Sequence, residues 1–157
     1  MKRSLTLILC MALCLALSGC ASDKKEAAVA FSCAELADRV QAAAAFQELT
    51  DMNEKYLEKY LMVEAADLDE WVFRRDATRA TPEMILVVNV KEGADLAAVE
   101  GMIQAFQEEQ LLQYRDYQPD QVFKLENAKA LENGRCLALI VSPDAANTNA
   151  ALGEGWV

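Results

Sequence analysis

Apolar residues recur along this chain at two periods, and the change of period marks its elements. Ser32-Cys33-Ala34-Glu35 has the form of a capping box, and Leu36, Val40, Ala43 and Ala44 follow on one face. This predicts a helix to about Gln47, in which the alanines favour helix but bury little area. Asp51 followed by Glu54 marks a second helix start. Met52, Tyr56 and Tyr60, beside Leu57 and Leu61, form an amphipathic stripe read first as core. The period then shortens. Trp71 and Phe73 face one way and Val72 the other, which predicts a strand over Glu70–Arg75. After a loop at Thr78–Pro82 comes Met84–Val90, an apolar, β-branched run expected to be the most buried strand.

The helical period returns after a turn at Lys91–Ala94. Asp95 can cap a helix to about Tyr114, with Leu96, Val99, Ile103 and Phe106 as its stripe. Gly101 inside it costs about 1 kcal/mol relative to Ala. Pro119 ends that segment. Val122–Ala130 is expected to hold a short helical turn and then a strand. Asn133-Gly134 is the favoured pair for a two-residue type I′ hairpin. Arg135–Ser142 is the return strand, and Pro143-Asp144 opens a last helix to about Leu152. The order is helix, helix, strand, strand, helix, strand, strand, helix. It predicts an α+β fold: a mainly antiparallel four-stranded sheet with helices packed on one face.

Composition then sets the class. The chain has 157 residues, 54% hydrophobic and 25% charged, with 15 basic residues, 25 acidic residues and no histidine. The formal charge of −10 argues against nucleic acid as a partner, because phosphate recognition needs a basic face. The N-terminus is decisive for location. Lys2 and Arg3 precede an uncharged apolar run from Leu5 to Leu17, shorter than the about 20 residues a spanning helix needs. The run ends at Leu17-Ser18-Gly19-Cys20, which resembles the lipobox of bacterial lipoproteins. Residues 1–19 therefore read as a lipoprotein signal peptide, 20–31 as a tether, 32–152 as one α+β domain and 153–157 as a tail that should fray. Cleavage before Cys20 leaves 13 basic against 25 acidic residues, a charge of −12. An anionic lipid surface repels such a chain, so attachment would rest on the diacylglyceryl group at Cys20, at the outer face of the cell membrane.

Further motifs carry a family resemblance. Glu48-Leu49-Thr50 precedes the tyrosine-rich helix, and Pro82-Glu83-Met84-Ile85 enters the buried strand. Tyr117-Gln118-Pro119-Asp120-Gln121 follows the long helix, and Asn133-Gly134 precedes Leu137–Ser142. In this order and spacing, over roughly Cys33 to Leu152, they resemble the lipoproteins grouped as "domain of unknown function 4358", common among Gram-positive bacteria. The resemblance implies an extracytoplasmic lipoprotein with a helix-flanked sheet. It implies no activity, and the only functional residue it carries over is Cys20. Phe73–Thr81 departs from the family's usual composition, with three arginines in place of neutral residues.

The chain shows little catalytic chemistry. It has no Gly-rich phosphate loop, no Gly-x-Ser-x-Gly elbow, no Cys-x-x-Cys pair and no histidine base. Asp67-Leu68-Asp69 starts like a calcium loop but lacks its glycine and third ligand, so with Glu70 it reads as a solvated acidic turn. No catalytic residue, metal or cofactor is assigned. Cys33 and Cys136 are the cysteines left after Cys20 and either form a disulfide or pack as separate buried thiols. Arg74, Arg75 and Arg79 form the one basic cluster. They contact an anionic group or partner, or they pair with the protein's own acids. Two functional readings remain. The first is a non-catalytic interaction or accessory module docking on an envelope protein. The alternative is a lipid-anchored binder of a small solute or peptide, working with a transporter. An enclosed pocket with unpaired polar groups would favour the second, and a flat apolar patch the first.

Overall fold

A computed structural model describes residues 32–157. The expected signal peptide, lipobox at Cys20 and tether lie outside the described residues. Strand β3, Met84–Val90, is buried at every position except Asn89 and organises the rest. Its neighbours are β2, Leu68–Asp76, and β5, Cys136–Val141, both antiparallel to it. The outer strands are β1, Leu49–Asp51, beside β2, and β4, Ala130–Asn133, beside β5. The order β1-β2-β3-β5-β4 makes an antiparallel sheet of five strands, one more than expected. The added strand is β1. Its Leu-Thr-Asp sequence has too little alternation to announce a strand, and it forms by pairing with the end of β2.

Helices cover both faces of the sheet, which corrects the one-face expectation. Met84, Leu86, Val88 and Val90 of β3 join Phe73, Leu137, Leu139 and Val141 on one face. That face is covered by α3, Leu96–Tyr117, through Val99, Ile103 and Phe106, and by Leu57 and Leu61. Ile85 and Val87 join Cys136, Ala138 and Ile140 on the other face. They are covered by α1, Cys33–Ala42, through Leu36, Ala37 and Val40, and by Leu152 of α5, Ala145–Leu152. The physical reason is the composition of β3 and β5. A strand apolar at successive positions exposes hydrophobic surface on both sides unless both are covered. Each fully buried Leu, Ile or Phe contributes roughly 1.5–3 kcal/mol.

The ends of elements differ for local reasons. Helix α1 stops at Ala42, short of the Gln47 expected. Ser32 accepts from the Glu35 amide (3.4 Å), and the Glu70 carboxylate receives the Ser32 hydroxyl and the Ala34 amide, both at 3.3 Å. One member of the acidic turn is thus a cap. The tyrosine stripe forms α2, Glu54–Tyr56, which passes into a π-helical turn at Leu57–Leu61. After α3 comes a 3₁₀ turn, Pro119–Gln121, and α4, Val122–Glu126. The β4–β5 hairpin forms, but its register shifts the turn by one. Asn133 pairs with Cys136, and Gly134 and Arg135 are the central residues. Only Gly134 has positive φ (63°), as in a type II′ turn with glycine at its first central position.

The tail expected to fray is tied down. Glu132 and Val157 exchange two backbone hydrogen bonds, at 2.9 and 3.0 Å. Trp156 packs against the core beneath α1 and α5. Gly155 permits this path: its φ is +89°, and a Cβ there would lie 2.8 Å from Asn133 Nδ2. Among the described residues, no helix is long and apolar enough to cross a membrane.

Candidate functional site: a cleft around Arg75

Alternation along β2 separates the three arginines. Arg74 points to the face carrying α1. Its Nε donates to Asp51 (2.9 Å) and its Nη1 to Asp38 (2.7 Å) and Gln41 (3.0 Å). These acids account for its charge. Burial would lower its pKa, but the hydrogen bonds to Asp38 and Asp51 outweigh that and raise it. For Arg74, pairing with the protein's own acids is the observed state.

Arg75, the next residue, points to the opposite face beneath α2 and α3 and is 5% exposed. Its Nη1 donates to the Tyr56 hydroxyl (3.2 Å), and its Nη2 makes a long contact to Gln110 Oε1 (3.5 Å). Its Cζ lies 5.7 Å from the centre of the Tyr56 ring. The buried Nε has no hydrogen-bond partner, and no carboxylate of the described residues lies within 4.0 Å of the guanidinium. A buried cation with only neutral partners is energetically exposed, because desolvation is offset neither by an opposite charge nor by full hydrogen bonding.

Arg79 reaches the same place from the turn after β2. Its Nη2 donates to the Tyr56 hydroxyl (3.3 Å). Its backbone is left-handed at φ 60°, uncommon for a residue with a Cβ. Two anchors hold it there. Asp76 accepts from the amides and hydroxyls of both Thr78 and Thr81, at 2.6–3.0 Å. Burial of Asp76 opposes ionisation, but these four bonds prevail and hold its pKa below the usual range. The Tyr114 hydroxyl on α3 donates to the carbonyls of Thr81 (2.6 Å) and Arg79 (3.2 Å). Its pKa is raised, first by burial.

The result is a cleft of about 240 Å³ between the π-helical turn, the turn after β2 and the C-terminal half of α3. Arg75 and Tyr56 lie within it, Tyr60 and Tyr117 flank it, and Gln110, Gln113 and Glu109 come from α3. Tyr60 stacks on Tyr56 at 4.2 Å between ring centres. Hydrogen bonds from Lys59 and then Arg79 lower the Tyr60 pKa. A second recess, on the side of β1, shares Tyr56, Arg75 and Arg79. Its acids are Asp51, bonded to Arg74, and Asp76, bonded to the threonines.

The arginines are thus brought together as a pair, not as a trio. Tyr56 and Tyr60 pack against the core as their stripe predicts, and they also line the cleft, which a core reading alone does not announce. The signal for the cleft lies in α3: the stripe Leu96, Val99, Ile103, Phe106 continues at helical spacing as Gln110, Tyr114 and Tyr117, turning polar. Cys33 and Cys136 are free thiols, both buried in one core cluster. Contact with Cys136, and then burial, push the Cys33 thiol pKa upward. Among the described residues no cluster of acids and cysteines could hold a metal ion.

The fold and cleft define an α+β domain with an open recess lined by arginine, tyrosine and amide side chains, and no triad or metal centre among the described residues. The chain belongs to the family described as "Domain of unknown function (DUF4358)", which it matches over residues 42–142. That span holds the whole sheet, α3 and every residue of the cleft. No curated protein and no solved structure matches the chain.

Proposed function

We propose that the protein is a lipid-anchored, extracytoplasmic, non-catalytic binding module whose cleft at Arg75 receives a small solute or peptide. One observation carries the reading: a nearly fully buried guanidinium, with no carboxylate of the described residues paired to it, lines a recess beside tyrosine and amide side chains. Recesses with few convergent polar groups are the usual form of small-ligand sites. The cleft is open rather than enclosed, but its converging arginine, tyrosine and amide groups fit the binder better than a module that docks through a flat apolar face. The anchor is Cys20, supported by the charged start, the short apolar run and the lipobox. A transporter or other envelope protein is the partner to which such a module would present its ligand.

Two measurements test the proposal. Cys20→Ala should move the protein from the membrane fraction to the soluble fraction; retention on the membrane would contradict the anchor. Thermal unfolding of the full chain in detergent, screened against pools of amino acids, short peptides, sugars and phosphate esters, tests binding. A ligand at about 100 times its Kd adds roughly 2.7 kcal/mol and raises the midpoint by several degrees. No shift with any pool would contradict a solute-binding role.

A further inference from the structure

We infer that the group bound at Arg75 is a carboxylate, borne by a small organic acid or by the C-terminus of a peptide. The inference rests on the cleft being a ligand site and names its chemistry.

Four features of the cleft support a planar anion. First, Arg75 lines the cleft with only neutral partners, and its Nη2 makes one long contact, 3.5 Å to Gln110 Oε1. A guanidinium presents its N–H groups as a flat fork, which a carboxylate matches with two oxygens. Second, the Tyr56 oxygen receives N–H groups from both Arg75 and Arg79. Its two lone pairs are thereby used, and its own proton is left to donate. The cleft therefore offers a phenol donor beside the guanidinium donors, with Arg79 pre-positioned by Asp76 and Tyr114. Third, Arg75 and Arg79 outnumber the one acidic residue that lines the cleft, Glu109, so the lining favours an anion. Fourth, about 240 Å³ admits an amino-acid-sized molecule or one terminal residue, with Tyr60 and Tyr117 beside it.

The test is titration of the ¹⁵N-labelled full chain in detergent, following the Arg75 Nε–H resonance. Arg75→Gln assigns that resonance by its loss. The probes are acetate, N-acetylglycine, a tripeptide with a free C-terminus, the methyl ester of N-acetylglycine, the tripeptide amide and inorganic phosphate. The expected result is a saturable shift with the acids and none with the ester or amide. A shift with N-acetylglycine at lower concentration than with the tripeptide identifies a small acid; the reverse identifies a peptide end. Arg79→Gln, at an exposed position that does not threaten folding, should weaken binding about tenfold. If phosphate saturates the resonance at lower concentration than every acid, the carboxylate is overturned while the cleft stands as an anion site. If ester and acid bind alike, the anionic ligand is overturned while the cleft stands as a binding site. If no probe moves the resonance, the carboxylate inference fails, and the solute screen decides the broader reading separately.

Discussion

Arg75 donates to the Tyr56 hydroxyl at 3.2 Å while its guanidinium carbon stands 5.7 Å from the centre of the same ring. Tyr56 thus supplies a close side-chain acceptor to Arg75, and it also receives Arg79. Tyr56→Phe keeps the ring and removes the acceptor. It should destabilise the protein by about 1–3 kcal/mol, the cost of leaving a buried donor unsatisfied. Urea unfolding checks this. An unchanged midpoint would mean that water serves Arg75 equally well.

The ion pair between Glu83 and Lys124 joins the start of β3 to α4 at 2.6 Å, with both side chains buried. The other Glu83 oxygen accepts from the Gln47 amide at 2.6 Å. Removing one partner strands a buried charge, so Glu83→Ala should cost about 3–5 kcal/mol. The double variant Glu83→Gln/Lys124→Met removes both charges and should cost less. A chemical-denaturation cycle over the two positions measures the difference.

Asp76 makes stability depend on pH in a defined direction. Its folded pKa lies below its unfolded value, because the Thr78 and Thr81 hydrogen bonds favour the carboxylate over the opposing effect of burial. The stabilisation is therefore present above the unfolded pKa and is lost as pH falls through the folded one. Urea midpoints between pH 7 and pH 3 should fall on the acid side. Asp76→Asn should flatten part of that slope and loosen the turn that holds Arg79.

Much of this architecture is legible in the chain, and the gaps have physical causes. Met84–Val90 and Leu96–Tyr114 are read from their periods because tertiary packing and pattern agree there. The two-sided cover of the sheet is also written in β3. A run apolar at nearly every position signals burial on both faces, whereas the hairpin signals alone suggest one layer of helices. β1 carries no such signal, since three residues at an edge acquire their conformation from β2. The arginine cluster is visible in sequence, but its division is not obvious until period-two alternation sends Arg74 and Arg75 to opposite faces. The rest of the cleft is assembled from segments far apart in the chain, and only the fold brings Tyr56 to Gln110.

Cys33 and Cys136 should be unreactive in the native, reduced protein. Both thiols are buried, and contact with Cys136 followed by burial raises the Cys33 pKa, so little thiolate is available to attack a reagent. Mass spectrometry after iodoacetamide treatment should find both unmodified in the folded protein and both modified after unfolding with reductant. Rapid labelling of the folded chain would place at least one of them at the surface. Unfolding without reductant separates the free pair from a disulfide, which would leave both sites unlabelled.

The most direct test of the binding cleft is native mass spectrometry of the protein isolated gently from its own cells, beside its Arg75→Gln variant. Wild type is expected to carry a small acidic adduct that the variant lacks. Identical spectra from the two proteins, with or without an adduct, would contradict a ligand site at Arg75.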